Sequence, residues 1–287
     1  MEQMSADNLY SAAVKFKHLH EQKSLFVMPC AWDAFSAILF EQAGFNCIGT
    51  TSGGVNWVQG RKDYVYSIPR DEMLRAYGKI AQATSLPVSG DLENGYGSEP
   101  DEVAQTIRQS VSSGMVGGSI EDQNVVPTDD DFSNGKLFEF DLAVERIRAA
   151  RSAADSMDIP YTLTARCEVY YTSHDKPFDE SIKRLNAYRE AGADCLFVPG
   201  LNDLDLLKQL TNEVDGPVSF GMGATPSPIT VTMLEDIGIK RVSTGGGLTR
   251  AMFAQCQKAA RAIQTDGTFG YLEHAISESQ VNRLLKK

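Results

Sequence analysis

The chain has 287 residues, 42% hydrophobic and 23% charged, a composition typical of a globular protein with enough apolar material for a large core. A formal net charge of -11 and a pI near 4.9 argue against nucleic acid as a partner, because phosphate binding needs a basic surface. No apolar run approaches the roughly 20 residues of a membrane span, and the first residues lack a signal-peptide pattern, so we expect no membrane partner.

The predicted elements alternate between short β-prone runs and amphipathic helices, after a first helix at about residues 8–22. Eight strands are predicted, at 25–29, 46–51, 87–91, 116–121, 160–165, 194–198, 217–220 and 240–244. The helices between and after them are predicted at 33–43, 70–84, 99–112, 139–156, 178–191, 202–212, 227–237 and 248–264. Candidate boundary residues are the N-caps Asp33 and Ser98 and the helix-ending glycines Gly44, Gly114, Gly192 and Gly238.

This alternation over about 250 residues favours a (β/α)8 barrel, since right-handed crossovers keep all strands parallel. We predict one barrel domain over residues 1–287, with an N-terminal helix and a C-terminal helical tail. A doubly wound open sheet is the alternative, but the candidate polar residues follow the strand ends, where barrels place their chemistry. The long connections Ser52 to Pro69 and Asp122 to Lys136 are interpreted as lids or as surface insertions.

Acidic residues recur where predicted strands become loops. Asp91 and Glu93 end the third strand two residues apart, Glu121 ends the fourth, and Arg166 follows the fifth. Acids on neighbouring strand ends are costly to bring together unless a cation lies between them, and oxygen-only ligands suit Mg²⁺ or Mn²⁺. The alternative interpretation is a set of solvated strand-end acids.

Other residues allow both a functional and a structural interpretation. His174 is a proton donor near the barrel mouth or a surface-loop histidine, and Gly245 to Gly247 form a phosphate site or a tight turn. Cys167 is a reactive thiol or strand-end packing. The five cysteines form no CxxC pair and no Cys/His ligand set, so we expect free thiols in a reducing compartment and place the protein in the cytoplasm.

Six segments together resemble the isocitrate lyase and phosphoenolpyruvate mutase superfamily, over about residues 25–260. They are Ala31-Trp32-Asp33-Ala34, Thr51-Ser52-Gly53-Gly54, Ser67-Ile68-Pro69-Arg70-Asp71-Glu72-Met73-Leu74, Gly90-Asp91-Leu92-Glu93-Asn94-Gly95-Tyr96-Gly97, Ser119-Ile120-Glu121-Asp122 and Ala165-Arg166-Cys167-Glu168. The resemblance implies a (β/α)8 barrel, often with its last helix exchanged between the subunits of a homodimer or homotetramer. It also implies a magnesium ion that serves 2-oxo acid chemistry.

The resemblance also implies individual metal and substrate roles. Asp91 resembles the principal metal carboxylate, and Glu93 and Glu121 resemble the acids that hold metal-bound waters. Many members have Asp where Glu93 stands, and the longer side chain should still reach a water. Arg166 resembles the arginine that pairs with a substrate carboxylate or phosphoryl group through a fork that lysine lacks.

Three small residues and one acid complete the implied site. Ser52, Gly53 and Gly54 resemble the segment that binds the substrate carboxylate and oxo group through hydroxyl and backbone N–H groups. Asp63 falls near the aspartate of the family's gating loop. The expected catalytic residues are therefore Asp63, Arg166 and Glu121.

The resemblance narrows the expected reaction. Members that cleave isocitrate or methylisocitrate carry a Lys-(Lys/Arg)-Cys-Gly-His motif after the fourth strand, whereas the segment that begins at Glu121 contains neither Cys nor His up to Thr128. We expect a magnesium-dependent lyase acting on a small 2-oxo or 2-hydroxy dicarboxylate, with oxaloacetate decarboxylation as the leading reaction. The alternatives are a phosphonate mutase or carbon-phosphorus hydrolase, and a barrel that binds a 2-oxo acid without catalysis.

Overall fold

The computed structural model describes residues 5–63, 68–124, 135–223 and 227–285. Within these ranges, nine parallel strands form one sheet, and two further strands pair with each other as a small antiparallel ribbon. The strands are β1 (Phe26–Met28), β2 (Cys30–Ala31), β3 (Ile48–Thr50), β4 (Val88–Asp91), β5 (Gly117–Glu121), β6 (Gln123–Asn124), β7 (Lys136–Leu137), β8 (Thr162–Arg166), β9 (Cys195–Phe197), β10 (Val218–Gly221) and β11 (Arg241–Ser243).

The sheet closes into a barrel at Pro29, which separates β1 from β2. The order around the sheet is β1-β11-β10-β9-β8-β5-β4-β3-β2, so β1 pairs with the last strand and β2 pairs with β3. The Pro29 carbonyl accepts a hydrogen bond from the Gly49 N–H at 2.9 Å, and the Cys30 N–H donates to Thr244 Oγ1 at 2.9 Å. The predicted first strand is therefore one barrel strand interrupted at a proline, and the (β/α)8 barrel is confirmed.

Eleven α-helices lie in the described ranges, and most of them follow strands around the outside of the barrel. They are α1 (Ala6–Glu21), α2 (Ala34–Gln42), α3 (Ser52–Val58), α4 (Arg70–Gln82), α5 (Pro100–Ser112), α6 (Phe140–Asp155), α7 (Pro177–Glu190), α8 (Leu204–Glu213), α9 (Val231–Asp236), α10 (Gly247–Asp266) and α11 (Glu278–Leu284).

The predicted helix boundaries are confirmed where a side chain or a glycine enforces them. Asp33 caps α2 in a reciprocal capping box with Ser36. Each of the four predicted stop glycines has φ between 87° and 105°, the left-handed region that glycine adopts without strain. Ser98 is not a cap, because α5 begins at Pro100, whose fixed φ suits the first helical position, with Glu99 as the N-cap.

The two predicted long connections differ from the expectation. The first contains helix α3, which starts because the Thr51 side chain accepts a hydrogen bond from the Gly54 N–H. The second is flanked by the β6–β7 ribbon. Residues 64–67 and 125–134 of these connections lie outside the described residues, so their interpretation as lids stays a prediction.

Helix α1 covers the N-terminal end of the barrel. Its residues Ala13, Phe16 and Leu19 form a separate apolar cluster with residues of the barrel floor, including Phe26 and Val116. The main core lies between the sheet and the surrounding helices. One end of the barrel is therefore closed by α1, and the cavity described below opens at the other end.

The C-terminal segment packs only lightly on the barrel. The Gln42 side chain donates a hydrogen bond to the Leu284 carbonyl at 3.1 Å, and α11 contacts α2. Several large apolar side chains of this segment stay exposed, among them Phe269, Leu272 and Ile276. Exchange of this segment between subunits stays a prediction. No helix among the described residues combines the length and the apolarity needed to cross a membrane.

Candidate active site

Three of the predicted site residues meet at the C-terminal ends of three neighbouring strands. Arg166, at the end of β8, places Nη1 3.0 Å from Asp91 Oδ1 and Nη2 3.0 Å from Glu121 Oε2. Asp91 ends β4 and Glu121 ends β5, and all three side chains are mostly buried. The barrel thus brings the predicted acids and the predicted arginine into direct contact.

A third carboxylate, which the sequence analysis did not assign to the site, also pairs with this arginine. Glu168 Oε1 lies 2.6 Å from Arg166 Nη2 and accepts a hydrogen bond from Nε at 2.8 Å. The guanidinium carbon also lies 5.5 Å from the centre of the Phe197 ring. Glu168 comes two residues after the end of β8, just as Glu93 comes two residues after the end of β4. This position in the sequence is the signal that could have identified Glu168 as a site residue.

Hydrogen bonds from neighbouring elements orient Asp91. Its Oδ2 accepts from the Ser52 backbone N–H at 3.1 Å and from Ser52 Oγ at 3.0 Å. Its own N–H donates to Thr50 Oγ1 at 2.9 Å, and Tyr77 Oη donates to its carbonyl at 2.7 Å. An ionised carboxylate has about four lone-pair positions, two on each oxygen. The two bonds from Ser52 use both positions of Oδ2, whereas Oδ1 accepts from Arg166 at 3.0 Å and keeps one further position.

Glu93 lies in a constrained backbone position next to Asp91. Its φ is 50°, in the left-handed region that non-glycine residues seldom adopt, and its side chain is buried. Tyr96 Oη donates to Glu93 Oε1 at 3.0 Å. Burial first, and then the nearby charges of Asp91 and Asp63, raise the pKa of Glu93 to about 8.

The other acids at this end of the barrel also resist ionisation. Burial raises the pKa of Glu121 well above its ordinary value, and Arg166 opposes this effect. Burial likewise raises the pKa of Glu168, again against Arg166. Both shifts include repulsion between neighbouring carboxylates, so the acids carry more negative charge than one arginine compensates.

This donor set fits a divalent cation in charge and in ligand type. Carboxylate oxygens are the ligands of hard cations, and an additional positive charge would relieve the repulsion that raises the pKa of Glu93 and Glu121. Within the described ranges, no group of three or more His, Cys, Asp and Glu side chains is close enough to bind one metal ion together. A site with a single direct carboxylate and several retained waters, as Mg²⁺ prefers, is compatible with both observations.

The predicted substrate segment lies beside these acids. A Cβ atom on Gly53 would come within 2.6 Å of Asp63 Oδ2, so only glycine allows this close approach. Asn56 Nδ2 donates to the other carboxylate oxygen of Asp63 at 3.2 Å. Ser52, Gly53 and Asp63 line the cavity. Gly54 does not line it and instead packs tightly against side chains of neighbouring elements.

A cavity of about 370 Å³ connects these residues with the barrel interior. Its upper wall carries Asp91, Glu121 and Arg166, and Trp57 borders the same space. Its lower part reaches Arg241 on β11. The cavity can therefore contain a small anionic molecule in contact with both the acid cluster and the barrel interior.

The other candidates from the sequence were each given a functional and a structural interpretation, and the structure separates them. Cys167 is fully buried and burial raises the pKa of its thiol well above the ordinary value, which favours packing over reactivity. His174 is exposed and is not among the residues that line the cavity. Gly245 and Gly246 do line it, next to Arg250 of α10.

Comparison with known proteins is consistent with this geometry. Residues 16–264 match the sequence model of the phosphoenolpyruvate phosphomutase family. A crystal structure from Burkholderia cenocepacia J2315, described in provisional terms as a lyase/mutase, shares 40% identity, covers 98% of both chains and has a TM-score of 0.91.

Two relatives with named activities are similar over most of the chain. The 2-methylisocitrate lyase of Escherichia coli (strain K12) is 31% identical over 82% of this chain and 79% of its own length. The crystal structure of 2,3-dimethylmalate lyase shares 28% identity, covers 96% of this chain and 95% of that chain, and has a TM-score of 0.83.

Proposed function

The chain belongs to the phosphoenolpyruvate phosphomutase family, and from this premise we propose that it is a magnesium-dependent lyase. It cleaves a carbon-carbon bond in a small 2-oxo or 2-hydroxy dicarboxylate through an enolate, and oxaloacetate decarboxylation is the first reaction to test. Relatives include both lyases and a mutase, so the wider class is an enzyme that makes or breaks a bond next to a 2-oxo acid.

The observation that supports this proposal most directly is the pairing of Asp91 with Arg166 at the cavity wall. One carboxylate suited to a cation and one guanidinium suited to a substrate carboxylate lie 3.0 Å apart. A 2-oxo acid presents both a carboxylate and an oxo oxygen on adjacent carbons. The two protein groups therefore match the two functional groups of that molecule.

The residues of the chain would divide the work of binding and orientation. The Nη1–Nη2 edge of Arg166 contacts Asp91 and Glu121, and it would turn to the substrate carboxylate when these acids turn to the metal ion. Glu168 and Phe197 hold the guanidinium in place. Ser52 offers its hydroxyl and backbone N–H beside Asp91. A magnesium ion, held by Asp91 with Glu93 and Glu121 acting through water, would supply positive charge that stabilises an enolate oxyanion.

The segment after β5 supports a reaction other than isocitrate cleavage. Residues Glu121 to Asn124 contain neither cysteine nor histidine, and no such residue follows up to Lys136. An enzyme that needs a thiol acid or base from this segment would lack it. Decarboxylation of oxaloacetate needs no such group before carbon dioxide leaves, because the bonding electrons pass directly into the enolate.

The test is a substrate screen with and without magnesium. Oxaloacetate, 2,3-dimethylmalate, methylisocitrate and phosphonopyruvate are each incubated with the wild type and with Asp91→Ala, and products are identified by mass spectrometry. We expect magnesium-dependent cleavage of a dicarboxylate by the wild type alone. Metal-dependent release of phosphate from phosphonopyruvate without any carbon-carbon cleavage would instead favour phosphonate chemistry. Binding of oxo acids without turnover would favour the non-catalytic barrel.

A further inference from the structure

Arg241 is a second buried arginine in the same cavity, and the proposed reaction does not use it. It lies on β11 and is 3% exposed. Its Nε donates to Ser219 Oγ at 3.0 Å, and its Nη1 donates to Thr164 Oγ1 at 3.0 Å. Nη1 also lies 3.3 Å from His20 Nε2 on α1. The guanidinium therefore lies on the cavity floor, above the helix that closes the barrel.

All of these partners are neutral. Burial and the charge of Arg241 lower the pKa of His20 to about 3, so this ring is uncharged at neutral pH. Among the described residues, no carboxylate forms an ion pair with Arg241. A buried cation without an anion is costly, because hydroxyl groups replace only part of the lost hydration.

Part of this guanidinium faces the cavity. No described residue accepts a hydrogen bond from Arg241 Nη2, and this atom is absent from the buried polar atoms that lack a partner. Because Arg241 lines the cavity, Nη2 is at the cavity surface. Two N–H donors therefore remain available to a molecule in the cavity.

Small hydroxyl side chains line the space between the floor and the acid cluster. Ser89 and Ser119 stand two residues before Asp91 and Glu121 on the same strands, so they face the same interior. Ser243 stands two residues after Arg241. The hydroxyl groups of these three serines make no hydrogen bond within the described part of the chain. Bulky branched residues normally fill these layers of a barrel.

The spacing along β8 between Arg166 and the floor of the cavity suits a short dicarboxylate. Thr164, which accepts from Arg241, stands two residues before Arg166 on β8. Two strand residues correspond to roughly 6.6 Å, so the backbone position of the hydroxyl that binds Arg241 lies about one layer of the barrel below that of Arg166. That distance is comparable to the length of a short dicarboxylate chain.

We propose that Arg241, together with the hydroxyl groups of Ser89, Ser119 and Ser243, forms a floor subsite that binds the second carboxylate of a dicarboxylate substrate. This inference rests on the proposed function, in which Arg166 holds the first carboxylate. In oxaloacetate, the carboxylate next to the oxo group lies at Arg166 and stays on the enolate, so the carboxylate at Arg241 is the one that leaves as carbon dioxide when the bond between C3 and C4 breaks.

The test compares an oxo acid that has one carboxylate with one that has two. Calorimetric titration in magnesium measures the affinity of pyruvate and of 2-oxoglutarate for the wild type and for Arg241→Met. We expect the wild type to prefer 2-oxoglutarate. Arg241→Met should lose about 10- to 100-fold in affinity for 2-oxoglutarate, as expected for hydrogen bonds to a charged group, with pyruvate affinity unchanged. As a matched control, Arg166→Lys should weaken both ligands.

Two further variants keep the test valid if Arg241→Met does not fold. Ser119→Ala and Ser243→Ala each remove one cavity hydroxyl, and each should weaken 2-oxoglutarate several-fold without affecting pyruvate. Equal affinity of the wild type for both ligands, or equal losses for both in the variants, would overturn the subsite while leaving the proposed function intact. Binding of neither ligand to the wild type would overturn both.

A free anion is the alternative occupant of the floor. Acetate is added alone, and the thermal midpoint is measured for the wild type and for Arg241→Met. Stabilisation of the wild type alone by acetate, without any preference for 2-oxoglutarate over pyruvate, would assign the floor to a free anion and overturn its assignment to the substrate. A preference for 2-oxoglutarate that disappears in Arg241→Met supports the substrate assignment.

Discussion

The two buried arginines of the cavity differ in how their charge is compensated. At the mouth, Arg166 contacts Asp91, Glu121 and Glu168, three carboxylates within 3.0 Å. At the floor, Arg241 contacts two hydroxyl groups and a neutral imidazole. One end of the cavity therefore has an excess of negative charge, and the other has an uncompensated positive charge.

This difference indicates what each end can bind. The mouth gains stability from an added cation, because its acids repel one another and their pKa values are raised. The floor gains stability from an added anion, because its arginine has only neutral partners. A complex of a metal ion with a dianionic acid would supply a cation to the mouth and an anion to the floor. Separate variants test the mouth and the floor.

The largest expected effect is on folding stability after removal of each arginine. Arg166→Met leaves three carboxylates without their counter-charge and should cost about 3 kcal/mol of unfolding free energy. Arg241→Met replaces an uncompensated buried cation with an apolar side chain and should change stability by no more than about 1 kcal/mol. Urea denaturation at pH 8 without ligand measures the unfolding free energy of the wild type and of both variants.

The pH dependence sharpens this comparison. The pKa values of Glu121 and Glu168 are raised in the folded protein, so protonation of these acids favours the folded state and this contribution is lost as pH rises. Acidification to pH 5 should therefore reduce the deficit of Arg166→Met. Equal losses in the two variants at pH 8 would contradict the contrast between mouth and floor.

The next effect concerns magnesium binding at the mouth. Asp91→Ala removes the proposed direct ligand and should weaken magnesium more than Glu93→Gln or Glu121→Gln, which should each cost roughly 10- to 100-fold. Asp101→Ala is the control, because this exposed acid lies on α5, away from the cavity. Titration at one pH and salt concentration gives the magnesium affinities of the wild type and the four variants, and equal affinity in the wild type and Asp91→Ala would refute the metal assignment.

A smaller effect is expected at the floor, where His20 must stay neutral beside Arg241. Burial and Arg241 lower its pKa from 6.5 to about 3, so the stability due to the neutral ring is complete above pH 6.5 and is lost as pH falls toward 3. Between pH 6.5 and pH 3, the unfolding free energy of the wild type should fall by up to about 1.4 kcal/mol per pH unit relative to that of His20→Gln.

Urea denaturation at pH 7, 6 and 5 checks this expectation. His18→Gln is the matched control, because His18 lies on the same helix with an exposed side chain, and it should follow the wild type at all three values. Parallel pH profiles of unfolding free energy for the wild type and His20→Gln would show that His20 does not cause the expected loss of stability at low pH.

The smallest effect is the loss of one hydrogen bond to Arg241. Ser219→Ala removes the hydroxyl that accepts from Nε and should cost about 1 kcal/mol. Ser152→Ala, at an exposed position on α6, should cost less than this. A cost of several kcal/mol for Ser219→Ala would mean that the floor arginine depends on this contact more than its geometry indicates.

The sequence predicted the barrel and the mouth because both have local signals. Alternating apolar runs gave the strand positions, and the acids Asp91 and Glu121 follow these runs directly. The break at Pro29 was not predicted, since the residues on both sides of it look like a single apolar run. Helix α3 was missed because glycines have low helix propensity, and only the cap at Thr51 reveals its start.

The floor could not be predicted in the same way. Lys240 and Arg241 form a pair of cations at the start of the predicted strand 240–244, a pattern that usually marks a solvated strand entrance. Arg241 is buried only because β11 pairs with β1 and α1 covers the end of the barrel. Its burial therefore depends on residues far away in sequence, which a local pattern does not contain.

The break at Pro29, between β1 and β2, is the place where the first strand joins the last and closes the barrel. Phe26 pairs with Arg241, so the ring of strands is completed only when nearly the whole chain has been synthesised and has folded around it. Met28 and Cys30, on either side of the proline, line the same cavity as Ser243 on the last strand. A bound ligand would therefore bridge the first and last strands, and slower amide hydrogen exchange in β1 and β11 would report its presence.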